Sequence, residues 1–168
     1  MNISEAKAEF IQSWGVLGSQ WGINRTMAQI HALLLVSAEP QTTDHIMEQL
    51  SISRGNTNMN VRELMDWNLV QKVIVPGERK EYFKAEKDIW KVATLIMYQR
   101  KKRELDPMIR LLGKLEELEG DKRNTEIKAF METISGIKKF AGQAEKTLDT
   151  IIKAEENWFW GNFMRLFK

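Results

Sequence analysis

Residues 50–70 read LSISRGNTNMNVRELMDWNLV. Four asparagines, Asn56, Asn58, Asn60 and Asn68, and two arginines, Arg54 and Arg62, stand in this stretch, although Asn and Gly are poor helix formers. The apolar rhythm is helical all the same. Thr57, Val61 and Leu64 stand at i, i+4 and i+7, the spacing of a buried stripe, and Ser53 is placed to cap the helix that carries them. Advancing about 100° per residue from Thr57 puts Gly55, Met59, Arg62 and Asp66 on the opposite face, with Asn56 and Asn58 on its shoulders. An Asn amide can meet adenine N6 and N7 together, and an Arg guanidinium can meet guanine O6 and N7. Free N–H groups at a helix N-terminus suit a phosphate. A solvated polar face next to a cap produces the same pattern, so the flanking sequence has to decide between the two.

The flanks favour a groove-reading helix. A short helix from about Thr43, with Ile46, Met47 and Leu50 inward, precedes the tight connection SISR, which makes a helix-turn-helix. Asn68 can take the left-handed conformation that ends a helix. The β-rich VQKVIV (70–75), the turn PGERK and the returning EYFKA (81–85) then predict a hairpin. That order is a winged helix-turn-helix, and its wing tip carries Arg79 and Lys80, suited to phosphates or a minor groove.

Upstream, residues 4–18 predict a helix capped by Ser4 and stopped by Gly18, with Phe10, Ile11, Trp14 and Leu17 on one face. A second, very apolar helix follows from an Asn24 cap to Pro40, and it should be central. Downstream, Asp88 caps a long helix, the charged run Arg100 to Arg103 reads first as a solvated face, with phosphate contact or an ion-paired subunit interface as the alternative, and Asp106-Pro107 restarts the helix. From about Arg123 the residues Ile127, Phe130, Ile134, Ile137, Ala141, Ala144, Leu148 and Ile151 step by three and four, the seam of a coiled coil or bundle, and predict subunit contact. The tail NWFWGNFMRLFK places Phe159, Trp160, Phe163, Met164, Leu166 and Phe167 on one broad face, expected to pack on protein and not on a membrane.

Composition narrows the chemistry. With no cysteine there is no disulfide, thiolate nucleophile or cysteine-ligated zinc. His31 and His45 lack metal-ligand spacing, and the carboxylates are scattered, so neither a metal site, nor a cofactor, nor an acid–base pair can be nominated. An enzyme is not expected. No signal-like N-terminus or membrane-length apolar run is present, which makes a cytoplasmic location the default. Residues 41–103 hold 12 Lys or Arg against 8 Asp or Glu, while the remainder holds 13 against 15. A modestly basic centre between neutral flanks fits a DNA-contacting module in a dimerising frame.

Several stretches together resemble the GbsR family of MarR-like winged-helix transcription regulators, over about residues 8–112: GINRTMAQIHALLLVS, ISRGNTNMNVREL, DWNLVQKV, PGERKEYFKAE and QRKKRELDP. The chain departs from that family at Ser51 and Asn68, where Gly is usual, at Asn24 in place of Pro, and at Thr57 in place of a branched apolar residue. The resemblance implies a homodimer that binds a pseudo-palindromic double-stranded DNA operator and represses transcription. It also opens the way to a small effector such as choline or another quaternary ammonium, for which Trp14, Trp21, Trp67, Trp90, Tyr82 and Tyr98 could supply aromatic faces, although packing in the core is the first reading of these rings.

The expected architecture is mainly α with a small β-hairpin. It comprises an N-terminal dimerisation helix (1–23), a winged helix-turn-helix (24–87) and a C-terminal helical dimerisation region (88–168). Asn56, Asn58, Met59 and Arg62 are expected to read bases, and Ser53, Arg54, Arg79 and Lys80 to hold phosphates. A winged-helix protein-interaction module without specific DNA binding is the competing reading.

Overall fold

The computed structural model describes residues 1–118 and 124–165, and side chains through residue 154. It divides into two compact units, Met1–Val92 and Ala93–Lys168.

In the first unit α1 (Ile3–Gln20) begins earlier than its sequence suggests, capped by Asn2 and not by Ser4. The Asn2 side chain accepts from Glu5 N at 2.9 Å while Asn2 N donates to the Glu5 carboxylate at 2.9 Å, a reciprocal cap that Ser4 cannot match. Gly18 is not the stop. It is buried against α2 (Arg25–Val36), where an added Cβ would lie 2.6 Å from Ala28 Cβ, so its role is close approach of two helices. The stop is Gly22, at φ +75°, where Ile23 N donates to Gly18 O at 2.8 Å.

Asn24 caps α2 as expected, accepting from Met27 N at 3.1 Å. Met27, Ile30, Ala32 and Leu34 are buried, which makes α2 the centre of this unit. Its C-terminal carbonyls are met from a distance in sequence: Lys87 Nζ donates to Leu34 O at 2.8 Å, Leu35 O at 2.6 Å and Ser37 O at 2.8 Å.

The helix-turn-helix comprises α3 (Thr43–Leu50) and α4 (Arg54–Asp66), capped by Thr42 and Ser53 respectively. Both helices end in the same way as α1. Ser51 at φ 52° is followed by Ile52 N bonding Met47 O at 3.2 Å, and Asn68 at φ 59° by Leu69 N bonding Leu64 O at 3.0 Å. Each time a residue in left-handed conformation reverses the chain and an apolar residue follows it inward.

The wing is antiparallel: β2 (Val70–Val73) pairs with β3 (Tyr82–Ala85), Val70 opposite Ala85 and Val73 opposite Tyr82. Between them Glu78 N bonds Val75 O at 3.2 Å, with Pro76 and Gly77 (φ +85°) at the central positions, the residue pattern of a type II turn. A two-residue strand not anticipated from sequence, β1 (Gln41–Thr42), adds to the other edge of β3 and gives the order β1-β3-β2. Two residues carry too little alternation to be legible alone; pairing to β3 creates the strand.

The chain enters the second unit along α5 (Ile89–Arg100), whose start is capped by Asp88. Helix does not break at Asp106-Pro107. A π-helical turn over Lys101–Leu105 runs directly into α6 (Asp106–Leu115), with Asp106 N bonding Lys101 O, so the wider turn carries the chain into proline at the start of α6 without an interruption. The charged run is correspondingly not a plain solvated face. Lys101 Nζ reaches Asp106 at 3.2 Å, Glu145 at 3.3 Å and Asp149 at 3.4 Å, the last two on α7 (Thr125–Arg165). These carboxylates push the Lys101 ammonium up to about 12 although its burial acts the other way. Leu112 packs with Ile134 and Ala141, flanked by Leu105, Ile109 and Leu115, to join α6 to α7.

Candidate nucleic-acid interface

Helix α4 sorts its asparagines by position. Thr57, Asn60, Val61 and Leu64 are buried, while Gly55, Met59, Arg62 and Asp66 are exposed and Asn56 and Asn58 half-buried. Met59 is 59% exposed although apolar, and it stands at the centre of the outward face. Among the described residues nothing lies within 4 Å of a Cβ built on Gly55, so that end of the face is open to them.

Asn60 has a role that sequence spacing did not reveal. Its buried amide donates to Asn56 O at 2.8 Å and to Asn56 Oδ1 at 2.7 Å, which fixes the Asn56 side chain from below. Asn56 keeps its own NH₂ and a second carbonyl lone pair for another partner. The buried Thr57 hydroxyl donates to Ser53 O at 3.0 Å, so the polar atom that replaces a methyl at this position is satisfied. Ser53 Oγ accepts from Asn56 N at 3.3 Å, a cap that leaves its hydroxyl proton to donate elsewhere.

The cations around this face differ in their partners. Arg54 is ion-paired with Asp44 of α3, both side chains being more than half exposed. Lys72 on β2 pairs with Glu81, and the Tyr82 hydroxyl donates to Glu78, which raises the phenol pKa. Arg62, Arg79 and Lys80 are exposed and make no ion pair among the described residues. Asp44, Arg54, Asn58, Lys80 and Glu81 border one shallow recess, which brings the start of α3, the start of α4 and the wing together. Asp44 is the acidic neighbour that sequence spacing did not reveal, because only folding places it beside Arg54, whereas Glu81 follows Lys80 in the sequence and folding adds its pairing with Lys72.

The expected dimerisation residues are divided between two environments. Ile134 and Ala141 are buried on α6, whereas Phe130, Ile137 and Ile151 are exposed, together with Phe140, which lies off the seam and is 72% exposed. Ile127, Ala144 and Leu148 are half-buried. The tail residues Phe159 to Phe167 lie outside the side chains described. The six aromatic residues considered for an effector are spread over the fold: Trp14 faces Phe10 at 5.4 Å and His31 at 6.3 Å, Trp67 is buried at the end of α4, and Tyr82 is on the wing. Among the described residues no helix is long and apolar enough to cross a membrane, and no cluster of three or more His, Cys, Asp or Glu could hold a metal.

A helix-turn-helix whose second helix presents amides and an arginine outward, followed directly by a cationic β-hairpin, makes a winged helix-turn-helix. Direct comparison agrees: residues 21–81 match the sequence model of the MarR family. Among curated proteins the chain is similar to the HTH-type transcriptional repressor GbsR of Bacillus subtilis, 32% identical over 92 residues, covering 55% of this chain and 51% of that one. It is also similar to the putative HTH-type transcriptional regulator YvaV of the same organism, 25% identical over 88 residues, 52% of this chain and 50% of that one. The chain spans about half the length of the curated relatives it matches. A solved structure titled as a transcriptional regulator shares the fold, with a TM-score of 0.54 at 17% identity over 86% of this chain and 99% of that one. The chain is thus similar to GbsR-type, MarR-like proteins, and these relatives carry the names of transcriptional regulators or repressors.

Proposed function

We propose that this chain is a sequence-specific DNA-binding transcription regulator that acts as a homodimeric repressor in the cytoplasm. The observation that carries the reading is the outward face of α4, where Asn58, Met59 and Arg62 stand exposed or half-exposed, together with the wing cations Arg79 and Lys80, which make no ion pair among the described residues. Arg62 reads guanine, Asn56 and Asn58 read adenine, and Met59 meets a thymine methyl. Ser53, Arg54, Arg79 and Lys80 hold the backbone. Repression is the activity in the names of the matched GbsR and OpcR proteins. Two copies related by a two-fold axis would meet half-sites roughly 34 Å apart, one helical turn of DNA.

Selection of bound fragments from the host genome tests this reading. An inverted repeat is expected, with affinity falling steeply as salt rises. Arg62→Ala should cost about 1–3 kcal/mol and relax preference at one base position, whereas Lys80→Ala should weaken every sequence alike. Salt-insensitive, sequence-blind behaviour would instead favour a protein-interaction module. The resemblance extends the proposal to a quaternary ammonium effector. Choline at millimolar concentration should raise the melting temperature if the native state binds it, and an unchanged melting temperature removes the effector from the reading.

A further inference from the structure

We propose that Asp44 is an internal competitor for DNA phosphate, holding the Arg54 guanidinium at the start of α4 and so setting the strength of sequence-independent binding. The proposal rests on the DNA-binding reading above, and it concerns a residue that no part of that reading uses.

Asp44 stands in the first turn of α3 and Arg54 is the first residue of α4, so the pair links the two helices of the helix-turn-helix across the connecting turn. The contact runs from a single guanidinium nitrogen to a single carboxylate oxygen, and the two side chains are 61% and 55% exposed. Such a pair is screened and exchangeable, unlike a buried two-pronged one. A phosphodiester offers the same guanidinium the same kind of oxygen ligand with the same charge. Both anions cannot be close to Arg54 without repelling each other, because Asp44 would lie within a few ångströms of the phosphate.

The neighbouring groups make Arg54 the residue on which this competition acts. Glu81 borders the same recess but has its own cation in Lys72. Lys80 lines the recess and makes no ion pair among the described residues, so it meets phosphate without first leaving an acid. Asn58, the base-reading candidate in the recess, carries no charge, and removing the Asp44 charge leaves its hydrogen-bonding capacity unchanged. Asp44 therefore acts on grip and not on sequence choice. The opposite role is also chemically coherent: Arg54 could keep Asp44 on one nitrogen and present the others to phosphate, in which case the acid would position the arginine.

Binding of the full-length protein to its selected operator and to a random duplex of equal length, across a salt series, separates these roles. Asp44→Asn is expected to tighten binding to both duplexes by the same factor, roughly 3- to 10-fold, and to steepen the salt dependence by about one phosphate equivalent. In an Arg54→Ala background the same substitution is expected to change binding by less than twofold. Weaker or unchanged binding by Asp44→Asn overturns the proposal, with weaker binding assigning Asp44 the positioning role. An equal gain with and without Arg54 overturns it as well, since simple removal of a negative charge would then explain the effect. If the wild-type chain binds operator normally and only these expectations fail, the DNA-binding reading stands. If no form of the protein binds duplex DNA, that reading falls and the competitor role falls with it.

Discussion

At the scale of single residues, three helix ends in the first unit are closed by left-handed residues of different cost. Gly22 adopts that conformation freely and Asn68 tolerates it, whereas Ser51 at φ 52° has no such preference. Ser51→Gly should therefore stabilise the protein by about 1 kcal/mol in urea denaturation, and Asn68→Gly by less. A smaller or opposite effect at Ser51 would mean that the entropy gained by the unfolded glycine chain outweighs the relieved strain. His31 supplies a pH-dependent test. It is 2% exposed, its Nε2 has no hydrogen-bond partner among the described residues, and burial, reinforced by the Lys87 charge, lowers its pKa from 6.5 to about 4. Between those values the unfolded chain binds the proton and the folded one does not. Stability should thus be fully present above pH 6.5 and fall as pH drops toward 4, at up to about 1.4 kcal/mol per pH unit and about 3 kcal/mol in total. His31→Phe should remove this part of the acid sensitivity, as urea titrations at pH 7.5 and 4.5 would show; equal slopes for the two proteins would refute the assignment.

At the scale of elements, α2 depends on a residue far away in sequence. Lys87 closes its C-terminus by bonding three carbonyls, although burial and the nearby Lys7 lower the Lys87 pKa. Lys87→Met should keep the aliphatic stem and lose the cap, at a cost of about 1–2 kcal/mol with solvent taking over part of the bonding. The same substitution removes a charge that disfavours the imidazolium, so the His31 pKa should rise in the variant, measurable by NMR titration. A drop in stability without that rise would separate the cap from the electrostatic link. In the second unit Lys101 plays a comparable part, tying the π-helical turn to α7 through Glu145 and Asp149.

At the scale of the whole molecule, α7 is an amphipathic helix whose apolar side is only partly covered among the described residues. Ile134 and Ala141 satisfy α6, and Phe130, Ile137, Phe140 and Ile151 stay exposed. Exposed apolar residues on a helix of 41 residues are what a second copy would cover in the proposed homodimer. Ile137→Glu combined with Phe140→Glu should shift sedimentation toward monomer and weaken operator binding, while Ile134→Ala should mainly lower the melting temperature by removing a packed side chain. A double variant that remains a dimer would place the interface elsewhere. In the proposed homodimer, operator affinity should exceed that of one head many-fold, since the second contact becomes intramolecular.

Local rules made much of this architecture legible. Caps at Asn24, Ser53 and Asp88, the stripe Thr57, Val61 and Leu64, and the hairpin after Asn68 all follow from interactions between residues a few positions apart, which sequence spacing records directly. The outward identity of Met59 and Arg62 followed from the same periodicity. Contacts between distant residues were decided only by the tertiary structure. Gly18 reads as a stop until Ala28 is placed against it, β1 exists only because β3 is beside it, and the α7 seam divides only once α6 covers one side. The asparagines of residues 50–70 show the boundary most clearly. Sequence sorted them into a helix and its end, but folding made Asn60 the buried support of Asn56 and brought Asp44 to Arg54, because hydrogen bonds and charges act through space and periodicity does not record them.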